Sequence, residues 1–122
     1  MATVVTTVGK GIITDRIIGN GTEPKYVAWG TGTTGAVAAD TALETPSAEA
    51  RTSGTSSQAT TTSADDTYQV VGTITSASGQ TISEAGLFDA STSGNMLMRG
   101  DFTGVALLTG ESIAFTMKVA LS

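Results

Sequence analysis

Three groupings of residues in this chain have types and spacings that could do chemistry. Gly30-Thr31-Gly32-Thr33-Thr34-Gly35 spells G-x-G-x-x-G after a β-prone segment. In a dinucleotide site the amides of such a loop cradle a pyrophosphate. Asp89-x-Ser91-x-Ser93-Gly94-Asn95 echoes the first half of an EF-hand calcium loop. Glu84 stands in an apolar run, and Arg99 lies on the segment that would pair with it, so a carboxylate and a guanidinium could meet.

Each grouping has a plainer reading. A dinucleotide loop needs a parallel βαβ unit, yet Pro46 stops any helix that residues 36–43 could start, and strand follows strand beyond it. The twelfth position of the calcium loop is Gly100 instead of Glu, and an Asp that opens a turn caps its own backbone. Across a hairpin, Glu84 and Arg99 would form an ion pair contributing roughly 0.2–1 kcal/mol; the alternative is a contact to a neighbouring subunit.

The remaining chemistry is thin. The chain has no His and no Cys, which removes the commonest general base, the commonest metal-binding nitrogen and the thiolate nucleophile. No G-x-S-x-G is present. Most acids fall in or beside turns: Glu23, Asp40, Asp65, Asp66, Asp89 and Glu111. The expectation is no enzyme, with no catalytic, cofactor-binding or metal residues and no small-molecule substrate.

The elements that position these residues read mainly as strands. Residues 82–88 and 96–102 form a hairpin about the turn 89–95, rich in Ser, Thr, Gly and Asn. Residues 24–30 make an earlier strand carrying the single Trp29, expected as a core or subunit-interface anchor. Residues 67–76 alternate, with Tyr68, Val70 and Ile74 on one face. Residues 103–108 are a further strand. In the last strand Ile113, Phe115, Met117, Val119 and Leu121 alternate with Ala114, Thr116, Lys118 and Ala120, so its large apolar side chains share the core face.

Before the first of these, residues 3–8 are a β-branched run that either pairs at a sheet edge or extends as an arm. Residues 10–18 suit a short helix ended by Gly19-Asn20-Gly21, with Ile12, Ile13, Ile17 and Ile18 toward the core. Thr41-Ala42-Leu43-Glu44 fits a capping box opening one helical turn. In the Ser/Thr-rich stretch 47–63, strands are expected at 48–52 and 58–63, at an edge or against another subunit.

Short turns at regular spacing predict an all-β fold, an antiparallel β-sandwich of jelly-roll or immunoglobulin-like type with a short N-terminal helix. The organisation expected is an extended arm over residues 1–9 and one sandwich domain over residues 10–122. The net charge of −5 and six dispersed Lys and Arg argue against nucleic acid. No apolar run approaches the roughly 20 residues of a membrane helix, and no secretory signal opens the chain, so it reads as made in the cytoplasm without a membrane partner.

Several phrases resemble one family. Glu84-Ala85-Gly86-Leu87-Phe88-Asp89 followed by a glycine turn and Met96-Leu97-Met98-Arg99 is similar to a hairpin of small tailed-bacteriophage structural proteins. Tyr26-Val27-Ala28-Trp29-Gly30-Thr31-Gly32, Asp66-Thr67-Tyr68-Gln69-Val70-Val71-Gly72-Thr73 and Gly110-Glu111-Ser112-Ile113-Ala114-Phe115 extend the likeness. The resemblance implies a virion protein assembling as a homotrimer. Its first expectation is a head decoration (cement) protein on the capsid surface, bound to the major capsid protein. The hairpin also resembles one in tail-collar fibres, so a tail, neck or fibre adaptor is the alternative. Candidate interface residues are Val4, Val5, Trp29, Glu84 and Arg99.

Overall fold

A computed structural model describes residues 2–121. Nine elements follow in order: β1 (Ala2–Val5), α1 (Thr7–Ile17), β2 (Tyr26–Gly30), β3 (Thr52–Ser53), β4 (Thr55–Ala59), β5 (Thr67–Thr75), β6 (Gln80–Phe88), β7 (Met96–Leu107) and β8 (Ser112–Ala120). Two antiparallel sheets result, one ordered β1-β7-β6-β2-β3 and the other β4-β5-β8. Between them lie Val27, Trp29, Ile82 and Leu87 from the first sheet and Val70, Ile74, Met117 and Val119 from the second. Trp29 meets Phe115 edge-on across this core, with ring centroids 6.2 Å apart. The expected antiparallel sandwich with one short helix is what the chain forms.

The helix starts earlier than periodicity placed it. Thr6 supplies the cap, its Oγ1 accepting from the Gly9 N–H at 2.8 Å. Gly19, at φ +83°, ends the helix in the left-handed conformation. Ile12 enters the core and Ile13 packs against it. Ile17 and Ile18, expected inward, are instead 77% and 70% exposed. They lie at the end of the helix, where it overshoots the sandwich. Of the segment expected as an arm, Ala2–Val5 is an edge strand pairing with Met98–Asp101 of β7, and Thr7 to Gly9 belong to α1.

Three further expectations are corrected. Residues 41–45 are not helical; the amides of Glu44 and Thr45 donate to the Glu84 carboxylate, and that tie holds the backbone open. The Ser/Thr stretch places its strands at Thr52–Ser53 and Thr55–Ala59, because the chain turns at Gly54 from one sheet to the other, its N–H held by the Lys25 carbonyl at 2.7 Å. Residues 96–107 form one strand, not two: Phe102, Thr103 and Gly104 are accommodated opposite Ser83 as a bulge that bends β7 without ending it. In β8 the alternation holds, with Met117 and Val119 buried and Ile113 and Phe115 half-buried. Leu121, just beyond, is exposed.

Candidate functional site

The strands β2 and β6 are covered on both faces. The second cover is the long connection between β2 and β3, which folds back over the outer face of the five-stranded sheet. Leu43 packs there on Ala28, Phe88 and Met96. The register pairs Glu84 with Asp101 and Gly86 with Arg99, so Glu84 and Arg99 stand diagonally on that same outer face. Beneath the connection they are 0% and 2% exposed.

Every polar atom of this pair has a partner. Glu84 Oε1 accepts from Arg99 Nε at 3.0 Å and the Glu44 N–H at 2.9 Å. Its Oε2 accepts from the N–H groups of Gly32 at 2.9 Å and Thr45 at 2.8 Å. Arg99 also donates to Asp40 Oδ2 and to the Thr34 carbonyl, both at 2.9 Å. Burial pulls the Arg99 pKa down, but the hydrogen bonds to Glu84 and Asp40 outweigh it and hold the pKa above its ordinary value. The carboxylate is filled by four donors and each guanidinium nitrogen is committed to an acceptor, so both groups are spent on holding the chain's own backbone and side chains. The arrangement is a clasp: one buried carboxylate gathers two stretches of the connection, at Gly32 and at Glu44-Thr45, onto the sheet.

The glycine-rich loop thus binds anions with its amides, and the anions are the chain's own carboxylates. Gly32 donates to Glu84, while Thr33 and Thr34 donate to Glu44 Oε1. The Thr34 hydroxyl donates to the other Glu44 oxygen, and this bond is the leading reason the Glu44 carboxyl lies below its ordinary pKa. A side chain on Gly32 would overlap Glu84 Oε2 and lie 2.6 Å from Glu44 Cβ, so only glycine fits. Sequence reasoning found the loop and the buried glutamate separately. The signal joining them was Glu44, read instead as a local cap.

Glu49, which sequence reasoning did not single out, anchors the same connection further along. Trp29 Nε1 donates to its Oε1 at 2.8 Å, the Ala77 N–H to its Oε2 at 3.1 Å, and the Gln80 amide to both. Burial raises the Glu49 carboxyl, but the bonds from Ala77, Trp29 and Gln80 outweigh it and hold the pKa at about 2, against an ordinary 4.5. A depressed folded pKa adds stability above the unfolded value and loses it as pH falls through the folded one. The urea midpoint of the wild type should therefore fall toward that of Glu49→Gln between pH 4.5 and about 2. A gap between the two that stays constant over that range would contradict the assignment.

The turn of the β6–β7 hairpin closes on itself. Asp89 Oδ1 accepts from the Asn95 N–H at 2.8 Å, so the Asp opening the calcium-like phrase caps its own turn. Arg51 reaches in from the connection, 3.6 Å above the Phe88 ring, and donates to the carbonyls of Ala90 and Ser93. Among the described residues no group of three His, Cys, Asp or Glu could hold a metal ion. Asp89→Ala should cost about 1 kcal/mol by denaturant titration, and millimolar calcium should leave the wild-type Tm unchanged. A calcium-dependent rise in Tm would reinstate the ion-binding reading.

The groove between α1 and the sandwich, about 360 Å3, is walled chiefly by Ile12, Ile13, Ile17, Pro24 and Leu121. The sequence matches the family podophage GP4 fiber I protein gp80 over residues 19–119. The chain belongs to that family. It is therefore a phage structural protein. No curated protein and no solved structure matches it.

The gp80 family match begins at Gly19, so β1 and α1 lie outside it, while β2 to β7, nearly all of β8 and the Glu84–Arg99 clasp lie within. Of the candidate interface residues, Trp29, Glu84 and Arg99 are buried inside the chain. Val4 and Val5 are half-buried in the edge strand β1.

Proposed function

We propose that the chain is a non-enzymatic building part of a phage virion, and that it serves in the tail or fibre apparatus and assembles with copies of itself as a homotrimer. The gp80 family match over residues 19–119 carries the reading, since that family is described by a fibre protein. The charged side chains beneath and along the connection support it: Glu84, Arg99 and Glu49 hold the β2–β3 segment in place. This is the chemistry of a part that must keep its shape, and it supplies neither a nucleophile nor a general base.

Gold-labelled antibody against the chain, applied to purified virions, tests the placement. Label at the tail, neck or fibres is expected. Label distributed over the head shell would overturn it in favour of a decoration protein bound to the major capsid protein.

A further inference from the structure

The two sheets of the sandwich are unequal and offset. In β4 no residue is buried, although Ser56 and Gln58 face inward, opposite Val70 and Tyr68 of β5. Gln58 is exposed, so β4 overhangs the first sheet on one side. On the other side the first sheet overhangs the second. Thr3 of β1, opposite Gly100 of β7, faces inward and is exposed, and Phe102 is half-buried. A cleft of about 330 Å3 runs here between Thr3, Met98, Gly100 and Phe102 of the first sheet and Thr116 and Lys118 of β8. One strand position beside β8 is vacant.

Both free edges of the smaller sheet are undefended. Sheet edges resist pairing through charges, prolines, bulges or short length. The edge strand β8 is nine residues long and pairs with β5 without a bulge. It has no proline and one charge, Lys118. The other edge, β4, is Thr-Ser-Ser-Gln-Ala, with neither charge, proline nor bulge. A neutral strand of small residues can lie beside Lys118 without like-charge repulsion. Its inward Ser56 and Gln58 would lie over the Thr3 hydroxyl and the bare Gly100 backbone.

We propose that a second copy of this chain seats its β4 in the vacant position, paired to the free edge of β8 and lapped over the inner face of β1 and β7. The two contacting surfaces differ, so the joint is head-to-tail, and a rotation that closes gives a ring. The proposal rests on the self-assembly part of the reading above and names the surface responsible.

Two variants separate the halves of the joint. Ser56→Lys with Gln58→Lys blocks the overhanging strand, and Thr3→Arg blocks the cleft; none of the three side chains is buried. Native mass spectrometry of the full chain should show a closed oligomer for the wild type. Each variant should be monomeric, with a Tm close to that of the wild type. Mixed one to one, the variants should give a dimer of one chain each and nothing larger, since one intact strand meets one intact cleft. Variants that keep the wild-type oligomer, or a mixture that stays monomeric, would overturn the joint while leaving self-assembly standing. A wild type that is monomeric at every concentration tested would overturn both.

Discussion

Glu84→Gln should destabilise the fold by about 3–5 kcal/mol, the range found when one member of a buried ion pair is lost. The substitution is isosteric, so no cavity confuses the result. It neutralises the carboxylate and turns an amide NH2 toward a ring of donors, the N–H groups of Gly32, Glu44 and Thr45 and the Arg99 guanidinium. At least one buried amide then has no acceptor, and Arg99 retains Asp40 as its only anionic partner. Arg99→Ala should fall in the same range, since it also leaves the Thr34 carbonyl without its donor. Unfolding can be followed by the fluorescence of Trp29, the only tryptophan and 2% exposed. Hydrogen exchange should place the damage: the amides of Gly32, Glu44 and Thr45 should lose protection before the β5–β8 pairs do. A Glu84→Gln protein within 1 kcal/mol of the wild type would mean that the clasp does not hold the connection down.

The second large effect lies in α1, where alanine at two nearby glycines should act with opposite sign. The helix packs so closely on β7 that a Cβ on Gly9 would sit on the Leu97 carbonyl oxygen and 2.8 Å from Leu97 Cα. Those are backbone atoms of a paired strand and cannot step aside, so the helix must. Forcing an extra group into such a contact costs about 1–3 kcal/mol, and Gly9→Ala should lie at the upper end. It would also pull the Thr6 cap, whose hydroxyl donates to the Met96 carbonyl, out of register. Gly11 is exposed and has nothing within 4 Å of the corresponding position. Gly11→Ala should therefore stabilise the protein by about 0.5–1 kcal/mol, the ordinary gain for alanine in a helix. Equal shifts in Tm for the two variants would mean that α1 is not docked as described.

How much of this was legible in the sequence depends on the reach of each interaction. The β6–β7 hairpin, two apolar runs about a turn cluster, and the period-2 alternation of β8 are local patterns, and both read correctly. The Glu84–Arg99 pair could be anticipated because the hairpin itself brings the two strands together. The cover over them could not. Glu44 has its partners at Thr33 and Thr34, and Glu84 has partners at Gly32 and Thr45, some 50 and 40 positions away. Nothing in the one-dimensional pattern distinguishes a carboxylate that caps its own turn from one that clasps a distant loop. Asp89 is of the first kind and Glu84 of the second. The error at residues 41–45 has this origin, since a sound local motif was outbid by a buried charge demanding donors. The early start of α1 is of another kind, because Thr6 was an available cap that the apolar spacing of the isoleucines obscured.

The position of β1 has a consequence in time. Ala2 pairs with Asp101 and Val5 with Met98. A ribosome adding roughly 5–20 residues per second makes this strand roughly 5–20 seconds before its partner exists. β1 is thus placed long after it is made, and closing so long a loop is the slow kind of contact. Until β7 emerges, α1 also lacks the Leu97 backbone on which Gly9 rests. β1 and α1 therefore wait undocked on a growing sandwich until β7 emerges and gives them their seat.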